Sequence, residues 1–141
     1  SLSKSFDGGY LLTGWLLGRG NYDQVVIKTD PYGESIWTSV QCGIESDSGH
    51  GVMELDNGSI LVFGRTSSYN DATRDVMVTK YGLDGENHWY KMFIADFDSS
   101  HEYVKDSHKT SDGGHIVAGY TFAGNRDFFL LKLNANVDLT E

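Results

Sequence analysis

Cysteine, proline and long apolar runs are nearly absent from this 141-residue chain, and each absence excludes something. A single cysteine, Cys42, cannot close an internal disulfide or build a thiolate zinc site. No apolar stretch approaches the roughly 18 residues of a membrane-spanning helix, so membrane insertion is not expected. Basic residues are scarce too: 11 Lys and Arg stand against 20 Asp and Glu, a formal charge of −9. A nucleic-acid or anionic-membrane surface needs a basic footprint, which this balance argues against. No segment shows helical periodicity. The chain begins at Ser1, and Ser1-Leu2-Ser3-Lys4 holds no apolar signal-peptide core. The expectation is a segment excised from a longer protein.

Glycine is plentiful, at 17 residues, beside 39% apolar and 13% aromatic residues. That composition describes a turn-rich, all-β globular protein and not a disordered one. Internal repeats dominate the pattern. Asp23-Gln-Val-Val-Ile-Lys28, Asp75-Val-Met-Val-Thr-Lys80 and Asp127-Phe-Phe-Leu-Leu-Lys132 recur at intervals of 52 residues. Gly33 and Gly85 are also 52 apart, as are Trp37 and Trp89. Upstream of each, a turn signature leads into an apolar run: Asp7-Gly8-Gly9, Asp56-Asn57-Gly58 and Asp112-Gly113-Gly114. So many landmarks in register define a repeat.

Each unit reads as four short strands. The Asp-Gly-Gly or Asp-Asn-Gly step is a tight hairpin turn between the first and second, with Gly and Asn supplying positive φ. A longer loop leads to the Asp-apolar-Lys strand. A second turn, Tyr81 to Gly85 in the middle unit and carrying Pro31 in the first, enters the strand that holds the Trp. The second and third strands are nearly continuous apolar runs, which implies sheets covered on both faces. Units divide at about 1–43, 44–95 and 96–141 within one repeat domain, the last being incomplete: Val137 stands in place of Gly33 and Gly85, and Glu141 in place of the Trp.

About fifty residues per four-stranded unit is the arithmetic of a β-propeller blade, so the expected fold is a segment of a β-propeller. The alternative is a β-trefoil, which packs three four-stranded repeats into a similar length and closes by itself. The repeat residues resemble those of bacterial and archaeal secreted or cell-surface propellers. They are similar, more loosely, to quinoprotein-type blades, whose Asp…Gly…Trp turn precedes the last strand. The resemblance implies a recognition scaffold that is extracellular, on the cell surface or periplasmic. Three blades cannot close a ring of the usual four to eight, so a homo-oligomer or neighbouring blades of a longer chain are expected.

Candidate chemistry gathers at one end. The turn between third and fourth strands is constant, since Lys28 to Trp37 and Lys80 to Trp89 each span nine residues. At the opposite end the loops vary in length, and variable loops on a rigid scaffold are where ligands usually bind. Arg19, Tyr22, Glu45, Asp47, Tyr69, Arg74, Asp96, Asp98 and Arg126 form the candidate ligand face there. Arg74-Asp75 and Arg126-Asp127 read as local ion pairs at strand entrances. The acidic loops offer oxygens of the kind Ca²⁺ takes, but neither matches a calcium-loop pattern, so no cofactor is expected. Gly33, Trp37, Gly85 and Trp89 read as structural, the tryptophans as packing between blades. His101, His108 and His115 are spaced by seven, which alternates strand faces and disfavours a shared metal. Catalytic motifs are missing: there is no G-x-S-x-G and no H-E-x-x-H. The reading is a non-catalytic binding module with a protein or glycan ligand on its loop face. The alternative is a fragment of a propeller enzyme, quinoprotein or glycan-active, whose catalytic groups lie on other blades.

Overall fold

Turn chemistry sets the strand boundaries. In each Asp-Gly turn one carboxylate or amide oxygen folds back on the chain: Asp7 Oδ1 accepts from Gly9 N, Asn57 Oδ1 from Ser59 N and Asp112 Oδ1 from Gly114 N, each at 3.0 Å. These are not the two-residue hairpins expected from the sequence. Five residues separate the paired ends of the strands, and positive φ falls on one glycine alone, Gly8, Gly58 or Gly113. Asn57 serves by its side chain, which bonds the backbone and makes positive φ unnecessary at that residue.

The structure, a computed structural model, describes residues 1–18, 20–68, 74–93, 101–122 and 124–138. Among these residues there is no helix, and none therefore is long and apolar enough to cross a membrane. Strands β1 (Leu2–Lys4), β2 (Tyr10–Leu17), β3 (Tyr22–Thr29) and β4 (Ser35–Gln41) form the first antiparallel sheet. The second holds β5 (Asp47–Glu54), β6 (Ile60–Thr66), β7 (Asp75–Tyr81) and β8 (Asn87–Phe93). The third holds β9 (His101–Lys109), β10 (His115–Phe122) and β11 (Arg126–Leu133). Each sheet is an open meander in chain order. Among the described residues, strands of different sheets meet in a single isolated parallel bridge, Arg74 with His101.

The sheets stack in series. β5 lies against β1, β2 and β3, and β9 against β5, β6 and β7. Between the first two sheets, Leu11 and Val26 meet Val52, Ile60, Val62 and Tyr81. Between the second and third, Leu61, Phe63, Val76 and Val78 meet Val104, Val117, Leu133 and Val137. Each fully buried apolar side chain here stabilises by roughly 1.5–3 kcal/mol. Only the middle sheet is covered on both faces, and its β6 and β7 are buried almost throughout. The outer sheets depart from the expected double coverage because each has a neighbour on one side alone. Phe128 and Leu130 of β11 remain 76% and 63% exposed.

The repeated tryptophan ties one sheet to the next turn. Trp37 donates from Nε1 to the Leu83 carbonyl at 3.0 Å, and its indole covers Gly85. Trp89 packs against the cluster that contains Val137. The Asp-apolar-Lys strand has its own structural role. Lys28 Nζ reaches Asp7 at 2.7 Å, and Lys132 reaches Asp112 at 2.8 Å, so strand three is pinned to the first turn of its unit. In the middle unit the turn carboxylate, Asp56, pairs instead with Lys109 of the following sheet at 2.6 Å.

Candidate functional site

Antiparallel order puts the β2–β3, β4–β5 and β6–β7 connections at one end, and side chains lace them together. Asn21 Nδ2 donates to the carbonyls of Ile44 and Glu45, both at 2.9 Å. Ser68 Oγ bonds Asp47 at 3.1 Å and accepts from Glu45 N at 3.1 Å. Asp47 is buried, and that burial, with Asp23 nearby, raises its carboxyl above the usual range. Asp47 is thus an anchor for loops. Glu45 is exposed and contributes its backbone.

Beside this lacing a cleft of about 330 Å³ opens between the first and second sheets. Trp15 and Tyr22 form one wall; Arg65 and Arg74 stand on the other. The hydroxyl-bearing residues Ser46, Ser48 and Ser67 also line it, with Asp47 below. Trp15 and Tyr22 are 56% and 49% exposed, unusual for aromatics in a chain with room to bury them. Arg65 donates from Nε to Ser48 Oγ at 3.2 Å, and its guanidinium lies 4.8 Å from the Tyr103 ring centroid. Arg74 donates from Nη1 to the Tyr103 hydroxyl at 2.7 Å. Beyond its neighbour Asp75, Arg74 thus reaches a tyrosine of the following sheet. Burial and the neighbouring Arg74 hold the Arg65 guanidinium below its usual pKa.

From the cleft the cluster continues onto the third sheet. Tyr103 and Tyr120 stack with centroids 4.7 Å apart. Lys105 and Arg126 sit over the Tyr120 ring at 5.2 and 5.5 Å. Arg126 thus lies on an aromatic face, and among the described residues no ion pair joins it to Asp127, its expected partner. His50, 6.0 Å from Trp15 and 3.0 Å from Ser48 Oγ, is pushed down to about 4 by burial and by the Arg65 and Lys105 charges.

Of the expected ligand face, Tyr22, Asp47 and Arg74 converge on one cleft, while Arg126 belongs to the adjoining aromatic stack. Arg19, Tyr69, Asp96 and Asp98 lie outside the described residues. Trp15, Arg65, Tyr103 and Tyr120 were missed, yet the repeat marks most of them. Trp15, Arg65 and Tyr120 each follow the second-strand glycine, namely Gly14, Gly64 and Gly119. Tyr22, Arg74 and Arg126 each precede the third-strand Asp. Every one of these six rim positions is aromatic or arginine.

His101, His108 and His115 are not brought together: His108 is exposed beside Asp106, and His115 is buried near Phe63. Among the described residues no group of three His, Cys, Asp or Glu side chains is placed to hold a metal. A second cleft, of about 250 Å³, lies where β1, β5 and β9 converge. No family model matches the chain, and neither does any curated protein sequence.

Proposed function

We propose that the chain is a non-catalytic recognition scaffold, a run of β-propeller blades of the secreted or cell-surface kind, with its ligand on the variable-loop end. The aromatic and arginine rim around the cleft carries this reading. Six repeat-equivalent positions with such side chains, several of them exposed, serve a ligand better than they serve packing. The propeller geometry draws support from the serial stacking and from the first strands β1, β5 and β9 gathering about one cleft, as innermost blade strands do around an axis. A trefoil barrel would share hydrogen-bonded strands between repeats, whereas ladder pairing here stays within each sheet.

Array screening against glycans and proteins, followed by amide chemical-shift mapping of each hit, tests the reading. Shifts are expected around Trp15, Tyr22, Ser48 and Arg65, with the opposite-end turns at Gly33 and Gly85 unmoved. Shifts confined to those turns, or stoichiometric uptake of pyrroloquinoline quinone with Ca²⁺ in calorimetry, overturn it.

A further inference from the structure

We propose that the cleft between the first two sheets binds an acidic sugar, its carboxylate gripped by Arg65 and Arg74 and its ring laid on Trp15. This rests on the recognition reading above and narrows it to one ligand class. Two guanidiniums share this cleft, one donating to Ser48 Oγ and the other to the Tyr103 hydroxyl. That is costly to maintain: the two cations repel, and Arg65 is half-withdrawn from water. Arg74 donates one N–H to a tyrosine hydroxyl, a neutral partner. An incoming oxyanion can pair with both guanidiniums, since Asp47, the carboxylate among the described lining residues, is engaged by Ser68. The contacts to Ser48 and Tyr103 use a fraction of the five N–H donors on each guanidinium, whose planar fork matches a carboxylate.

The rest of the cleft selects among anions. A bare phosphate would satisfy the arginines and leave Trp15 and Tyr22 facing water. A sugar ring has an apolar C–H face to lay on the indole and hydroxyls to meet Ser46 and Ser67 on the cleft wall. The volume of about 330 Å³ lies at the small end of the roughly 300–1,000 Å³ typical of ligand pockets, which suits a saccharide unit over an extended acidic peptide.

Titration calorimetry with galacturonate oligomers, neutral galactose oligomers of equal length, polyglutamate and inorganic phosphate decides the matter. Galacturonate is expected to bind best, and more weakly as salt rises. Arg74→Gln and Trp15→Ala, both at exposed or half-exposed positions, should each weaken it by about tenfold or more. Arg65→Lys keeps the charge, loses the fork and should weaken it as well. Galacturonate affinity unchanged in cooperatively melting variants overturns the proposal. So does the absence of galacturonate binding, or phosphate or polyglutamate binding equally well. Neutral-sugar or polyglutamate binding that shifts the amides of this same rim sinks the acidic-sugar assignment while leaving the recognition reading in place.

Discussion

At the scale of single residues, the turn before the last strand of each unit shows how one backbone angle is satisfied in different ways. Gly33 and Gly85 hold φ of 90° and 82°, and Val137 occupies the same place at 63°. A β-branched residue there costs about 1–2 kcal/mol of strain. Val137 is 2% exposed, and its burial returns roughly 1.5–3 kcal/mol, so the valine is tolerated. Val137→Gly should therefore lower stability by less than about 1 kcal/mol. The two glycines differ in their surroundings. A Cβ on Gly33 meets nothing within 4 Å, but one on Gly85 would sit 2.7 Å from the Trp37 indole. Gly33→Ala is expected to cost about 1 kcal/mol, and Gly85→Ala about 2 kcal/mol or more because Trp37 must move. Equal melting temperatures for the two variants would contradict this account of Trp37.

Charge at single sites gives stability a dependence on pH. Lys28, with Gly9 and Ser5, pulls the Asp7 carboxyl down to about 2 from an ordinary 3.8. A carboxylate lowered on folding contributes stability above its unfolded value, and that contribution fades as pH falls through about 4 toward 2. Lys132 lowers Asp112 in the same sense. His50 acts in a higher window. Its folded value of about 4 lies below the ordinary 6.5, so the unfolded chain binds the extra proton and stability falls as pH drops from 6.5 to 4. Denaturant midpoints measured from pH 7 to 4 should decline for the parent chain and decline less for His50→Gln. The remaining slope belongs partly to buried His115, whose pKa is also lowered. A His50→Gln profile parallel to the parent's would contradict the assignment.

At the scale of elements, the repeat was legible because strand-forming residues and turn residues recur together: Asp-apolar-Lys is a strand throughout and, in the first and third units, half of an ion pair as well. Strand order follows from tight turns, and the all-β class from composition and period. Turn length was harder to read, since Asn57 suggests positive φ by residue type and contributes a side-chain hydrogen bond instead. The site was legible in part. Arg74 and Tyr22 stand out as loop residues, but Arg65 and Trp15 sit inside apolar strands, where a polar or bulky residue reads as an interruption. Their meaning emerges once the second-strand glycines are aligned and register sets Arg65 opposite Ser48 and Tyr120 opposite Tyr103. Local ion pairing was the expectation for Arg74 and Arg126, and what the sequence did not reveal is that strand register brings tyrosines within reach of both, where ring faces attract guanidinium at short range.

At the scale of the whole molecule, the serial stacking leaves two unmatched faces. Gln24 and Val26 of the first sheet, Val76 and Val78 of the second, and Phe128 and Leu130 of the third are equivalent positions. In the first two sheets the following sheet covers them; in the third they are exposed. On the far side, Val25 and Ile27 of the first sheet are half-buried, although their equivalents in the second sheet, Met77 and Thr79, are fully buried. The exposed third-sheet face and the open first-sheet face thus repeat the two halves of the internal contacts. A second copy can dock head to tail on the same terms. The 15.6 kDa chain is expected to oligomerise at tens of micromolar in light scattering. Added salt should promote this, because the −9 charge on each copy opposes assembly and is screened. Phe128→Glu with Leu130→Glu should return the chain to monomer while leaving its melting cooperative, since both side chains are exposed within one copy. A cooperatively folded monomer from the parent chain at the same concentration would show that this face is stable against water, and the head-to-tail assembly would be wrong.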